Sequence, residues 1–187
     1  MADDWGPLAL LAGDWEGESA GGLDTAFSHV QDKVLGTPYL ERLSFKPFGP
    51  VVNGRQSLYG LDYRTAMWRG SEENPFHTEV GYWLWDPETH EIVRGFVVPR
   101  GITILAGGTA APDAKQFSLA ADPGDRNYNI GENKYLTANA STLSYRVTIT
   151  INDDDTWSYD ETTMLKMSEM DEPFAHTDRN TLHRKVG

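Results

Sequence analysis

Five histidines and no cysteine bound the chemistry open to this sequence. Without a thiol there is no disulfide, no thiolate nucleophile, no zinc–thiolate or iron–sulfur site and no thioether-attached haem. A Gly-x-Ser-x-Gly elbow, a His-Glu-x-x-His pair, a P-loop and the Rossmann glycine pattern are also missing. What remains is an imidazole that could hold a ligand or an ion. His176 and His183 stand in "PFAHTDRNTLHRKV", which has the rhythm of a strand. His183 shares parity with Arg179, Thr181 and Lys185, a polar set expected to face water. His176 shares parity with Phe174 and Leu182, and also with Asp178, Asn180 and Arg184. If Leu182 points inward, an unbulged strand turns His176 inward as well. Such an imidazole is either a hydrogen-bonded core residue or a ligand to something in a cavity, and parity does not choose between them.

The other histidines are less pointed. His77 opens "HTEVGYWLWD", where His77, Glu79, Gly81, Trp83 and Trp85 share one face and Thr78, Val80, Tyr82 and Leu84 the other. Aromatics on both faces leave the inner one undecided, and the ordinary place for His77 is a strand end at a rim. His29 lies in the alternating "FSHVQDKV" and His90 in the turn "DPETHE". In "ENPFHTE", Glu72, Glu73, His77 and Glu79 lack metal-ligand spacing. Asp153 to Asp155 in "INDDDTW" lack the order and closing Glu of a calcium loop and read as a hairpin turn.

The elements that must position these residues are strands. Candidate strands cover 15–20, 26–34, 39–46, 56–67, 77–86, 90–98, 101–109, 115–121, 134–138, 143–151, 155–168 and 174–185, joined by "GTP", "KPFGP", "VPRG" and "DPGD". One short helix is suggested near the start, with Asp3 and Asp4 as possible caps, Pro7 in the first turn and Gly13 as the stop. In "LSYRVTITI", Leu143, Tyr145, Val147, Ile149 and Ile151 share a face opposite Ser144, Arg146, Thr148 and Thr150, the mark of a strand with one buried side. So many short strands and short links mean a sandwich or a barrel, which alternation separates only weakly, and consecutive hairpins suit an all-β, up-and-down antiparallel barrel of about ten strands, which closes its own edges and leaves room for a small molecule. The polar, Gly- and Asn-rich segment 122–140 reads as an excursion near a barrel mouth.

The chain has 187 residues, expected to form a single domain over 1–187. Its net charge of −12 would repel phosphate backbones, so nucleic acid is not an expected partner. The opening "MADDWGPLALLAG" has acids where a signal peptide needs bases, and no stretch approaches the length of a membrane span. A cytoplasmic location is the expectation.

Ordered motifs carry a family resemblance. "PLALLAGDWEGES", with Gly13, Trp15 and Gly17 and Ser19 in place of a last glycine, resembles the opening signature of the nitrobindins. "GTPYLERLSF" is similar to that family's second hairpin arm, "PFHTEVGYWLWDPETHEI" to its central hairpin, and "YDETTMLKM" with "PFAHTDRNTLHRK" to its closing strands. The match follows most of the chain in order and leaves 122–140 enlarged. The resemblance implies a barrel like that of fatty-acid-binding proteins, holding haem b without a covalent link in a wide cleft. It implies His176 as the metal ligand, Phe76 and His77 on the distal side and Thr25 near the haem. It implies nitric oxide as a ligand and isomerisation of peroxynitrite to nitrate as a reaction. Phe174, Leu182, Met164, Met167 and Ile104 are candidate apolar lining. The alternatives are a carrier of a small apolar or fatty-acid-like ligand without metal, and a barrel filled by its own aromatics. Oligomeric state stays open, a homodimer included.

Overall fold

Two-residue alternation along each segment closes the chain into one antiparallel sheet, seen in a computed structural model that describes residues 5–185. The order of elements is a 3₁₀ helix (Gly6–Leu11), β1 (Gly13–Gly17), β2 (Gly22–Ser28), β3 (Lys33–Asn53), β4 (Gln56–Trp68), β5 (His77–Asp86), β6 (Glu91–Val98), β7 (Ile102–Thr109), β8 (Gln116–Ala121), β9 (Ile130–Glu132), α1 (Lys134–Asn139), β10 (Ala140–Ile151), β11 (Thr156–Met167) and β12 (Phe174–Arg184). Neighbours run β12-β11-β10-β8-β7-β6-β5-β4-β3, and β1 and β2 both bridge β3 to β12, as two halves of one strand position. That makes ten positions around a closed barrel, with the short β9 also paired to the start of β7. Closure leaves no long unpaired edge.

The two ends of the barrel differ. At one end the 3₁₀ helix plugs the opening with Leu8 and Leu11, both fully buried, each worth about 2 kcal/mol in transfer from water. Asp3 and Asp4, expected as its caps, lie outside the described residues. Trp15 donates its indole N–H to the carbonyl of Leu11 at 2.7 Å, tying helix to barrel. Trp15, Phe45, Trp83, Trp85, Trp157 and Leu182 fill this end. Gly17 fits because a Cβ there would meet the Asn180 side chain at 2.8 Å.

At the other end lie the last turns of β4, β6 and β11 and the first of β5, β7, β10 and β12. This is the mouth. The excursion 122–140 reaches it, but 134–138 forms α1 rather than the expected strand. Asn133 caps α1, accepting from the Leu136 N–H at 2.9 Å and donating to the Arg100 carbonyl at 2.9 Å. Leu136 therefore packs down on Ala140, Met167 and Phe174.

Three further departures have local causes. The expected strand 26–34 is split by a turn at 29–32 between β2 and β3. β3 runs straight through "KPFGP", which read as a joint, because a bulge between Phe48 and Val51 accommodates it. A second bulge between Thr142 and Ser144 turns Leu143 out to 40% exposure, while Tyr145, Val147, Ile149 and Ile151 stay buried as expected.

Candidate functional site: a cleft and chamber at the barrel mouth

Alternation on β12 does turn His176 inward: Phe174, Asn180 and Leu182 are buried, and His176 and Asp178 lie between them on the same face. The His176 side chain is 32% exposed, so it meets both barrel and solvent. It sits at the base of an open cleft of about 520 Å³. That volume is in the range of pockets that take cofactor-sized ligands. The walls are largely apolar: Phe27, Met67, Phe76, Val98, Leu165 and Met167. Arg69 and Arg100 supply cations along them. Below the cleft, and sharing His77, His176 and Asp178 with it, is a smaller chamber of about 140 Å³.

Two carboxylates grip the imidazole. His176 Nε2 lies 2.8 Å from Asp24 Oδ1 and 3.2 Å from Asp178 Oδ2, and Arg69 holds the other Asp24 oxygen at 3.1 Å. Burial disfavours the charged ring, but the hydrogen bonds and charges of Asp178 and Asp24 outweigh it and push His176 up to about 10. Burial likewise opposes ionisation of Asp24, yet His176 and Arg69 hold its carboxyl below the usual range. Nδ1 of His176 makes no hydrogen bond among the described residues.

The opposite wall carries a second imidazole in a buried ionic network. His77 Nε2 meets Glu79 Oε1 at 3.0 Å. Glu79 Oε2 accepts from Tyr63 at 2.5 Å and from Arg94 at 2.6 Å. Arg94 continues to Glu161 at 2.9 Å and also donates to Tyr145, which itself donates to Glu161 at 2.5 Å. Desolvation alone would favour protonated carboxyls, but Arg94 and His77 pull Glu79 down to about 2. Glu161, with a longer contact to the same guanidinium and with Glu79 and Asp178 nearby, is shifted the other way, chiefly by burial. We place the charge of the pair on Glu79. Burial opposes a charged His77, but Glu79 raises it. Register sets the third side: Asp24, Asp178 and Glu161 are consecutive cross-strand partners on β2, β12 and β11. Like charges so placed repel, and His176, Arg69 and Arg94 offset them. Glu41, fully buried, is satisfied by Thr65 at 2.7 Å, Tyr159 at 2.8 Å and Asn180 at 3.0 Å.

The family model described as the THAP4-like, heme-binding beta-barrel domain matches residues 4–184. The chain belongs to this family, the nitrobindins. Among solved structures, the crystal structure of Rv2717c from M. tuberculosis superposes with a TM-score of 0.64 at 18% identity, covering 96% of this chain and 95% of that one. That likeness shows the fold. No curated protein matches. Membership in the nitrobindins supports haem as the small-molecule ligand of this barrel.

The residues that carried the nitrobindin resemblance are only partly gathered here. His176, His77 and Phe76 line the cleft, with Arg69 stacked over the Phe76 ring at 3.8 Å. Thr25 does not line it: Asp24 and Ala26, of the opposite parity on β2, take that wall. Of the expected lining, Met167 borders the cleft and Ile104 the chamber. Phe174 packs beside them under α1, Leu182 belongs to the core at the closed end, and Met164 shares parity with exposed Asp160 and Lys166. Among the remaining histidines, His183 and His90 are exposed as expected, and His29 stands at the cleft's edge beside Glu169. Sequence reading placed Glu79 on the face of His77 and Asp178 on that of His176 without giving either a role, and it missed Asp24, Glu41, Arg94 and Glu161. For four of these residues a signal existed: Glu41 between Tyr39 and Leu43, Glu79 before Trp83, Arg94 between Ile92 and Phe96, and Glu161 after Tyr159 all occupy the apolar parity.

The donor set fits a haem. The cleft's walls are apolar, Arg100 at its rim suits a carboxylate substituent, and an imidazole with a free Nδ1 stands at its base. Metal-bound imidazoles usually donate their other N–H to a carboxylate, which is what Asp24 and Asp178 offer at Nε2.

Proposed function

We propose that the cleft holds haem b, that His176 is its protein ligand through Nδ1, and that the complex binds nitric oxide and isomerises peroxynitrite to nitrate. The reading rests above all on one observation, the half-exposed His176 imidazole at the base of an apolar cleft, clamped at one nitrogen and free at the other. Bound there, haem would supply an iron centre that takes nitric oxide and turns peroxynitrite into nitrate, a rearrangement in which no atom is gained or lost. The chain's part is to bind and orient. To ligate, His176 would release the proton on Nδ1 to solvent and keep the one on Nε2 donated to Asp24 or Asp178. His77 and Phe76 stand on the facing wall, where Glu79 fixes the His77 ring. The nearby Glu79–Arg94–Glu161 network leaves no acid–base pair free for chemistry of its own.

Titration of the purified protein with hemin tests this. A Soret band should grow to saturation at one haem per chain and be lost in His176→Ala. Identical spectra for mutant and parent would remove His176 from the role. A fatty-acid carrier is the less favoured reading, since Arg94, the arginine buried inside the barrel, is already held by Glu79 and Glu161.

A further inference from the structure

The chamber beneath the cleft has a chemistry of its own. Its volume of about 140 Å³ is close to that of engineered cavities that take one benzene. Tyr63, Trp83, Phe96, Ile149 and Trp157 give it an aromatic and aliphatic wall. Its polar side is unusual, because the cations that face it deep inside are already paired. Arg94 is held by Glu79 and Glu161, His77 by Glu79, and His176 by Asp24 and Asp178. Arg100 also borders the chamber, but it is exposed and stands where the space meets solvent. Each inner cation already has its carboxylate, Glu79 or Asp178, and the other two acids on the wall, Glu41 and Glu161, are held by burial toward the neutral form. An anion entering here would be stripped of water without a free counter-charge, or would have to break an existing pair, and both are costly. Asp178 has one oxygen that accepts no hydrogen bond from a described residue, and the outer oxygen of Glu161 is likewise without a partner among them and carries that carboxyl's proton. These two side chains are cross-strand neighbours, so one stretch of wall offers a guest both an acceptor and a donor.

We infer that the chamber is a binding site for small uncharged guests, an aromatic or apolar body with an O–H or N–H donor, and that it rejects anions of the same shape. This goes beyond the haem reading and is tested without haem. Where the two meet, it specifies that reading: nitric oxide and the conjugate acid of peroxynitrite fit the chamber, and the peroxynitrite anion does not.

Benzyl alcohol and benzoate are a matched pair of probes. The haem-free full-length chain is titrated with each near pH 7 while its indole N–H signals are followed by NMR. Benzyl alcohol should shift the Trp83 and Trp157 signals saturably and leave Trp5, outside the chamber, unmoved. Benzoate should bind at least about tenfold more weakly, the size expected when one charge is left unpaired. Asp178→Asn should narrow that gap by removing a negative charge from the wall. Benzoate binding as well as the alcohol would overturn the inference, and so would a titration in which neither probe moves the two indoles. Neither outcome bears on the hemin titration, so the two readings fail separately.

Discussion

Arg94 shows how much a single buried charge organises. Its guanidinium is 7% exposed, bridges Glu79 and Glu161, and lies 4.3 Å from the Phe96 ring centre. Its Nε finds no partner among the described residues, so the pairing is carried by its two terminal nitrogens. Breaking a buried pair by removing one member strands the other charge, at a cost of about 3–5 kcal/mol. Arg94→Met keeps much of the volume and loses the charge. It should lower the unfolding free energy by about that amount in urea titration. A loss below about 1 kcal/mol would mean that Glu79 simply takes up a proton instead.

Among the elements, α1 decides how the mouth is covered. It has six residues, too short to be stable by itself. Two tertiary anchors hold it, the Asn133 cap with its link to the Arg100 carbonyl and the packing of Leu136 on Ala140, Met167 and Phe174. Asn133→Ala removes the cap and the link together. The expected cost is about 1 kcal/mol, from the cap alone. Hydrogen exchange should rise first at the Leu136 and Thr137 amides, because the barrel strands beneath are held by their own ladders. Unchanged protection there would show that Leu136 packing alone holds the segment. Neither anchor was visible from sequence, where "NKYLTAN" reads as strand or loop, since both depend on β6, β7 and β12 arriving at the same end of the barrel.

For the molecule as a whole, the buried charges set how stability depends on pH. Glu79 and Asp24 are held below their unfolded values, so they favour the folded state above the ordinary carboxylate value near 4.5 for Glu and 3.8 for Asp, and that contribution is lost as pH falls through their folded values. Glu41 and Glu161 shift upward and keep protons in the folded chain, so their contribution is present at low pH and fades as pH rises. His176, pushed up from 6.5 to about 10, favours folding fully below 6.5 and loses that support as pH climbs to about 10. His77 moves in the same direction. The Glu79 and Asp24 support is in place above about 4.5 and the histidine support below 6.5, while that of Glu41 and Glu161 weakens from 4.5 upward and draws the optimum toward the acid side of this window. Urea midpoints measured across pH should therefore peak on the mildly acidic side. A maximum above about pH 8 would contradict the ion pairing described for His176.

Much of this was legible in the sequence. Period-two alternation, turn residues at the joints and the absence of long helical patterns determined an all-β chain, a sandwich or a barrel, because the side-chain period of a strand is local and survives tertiary context. The same parity placed His176 on the inner face. The excursion 122–140 was located, though its helix was not. What the sequence could not supply was company for that imidazole. Asp24 comes from β2 and Asp178 from β12, and they meet His176 only because the closing seam of the barrel pairs the chain's two ends in one register. Glu79, Arg94 and Glu161 stand on three strands that converge across the interior. A strand's own pattern tells which way a side chain points, and only closure of the cylinder decides what it points at.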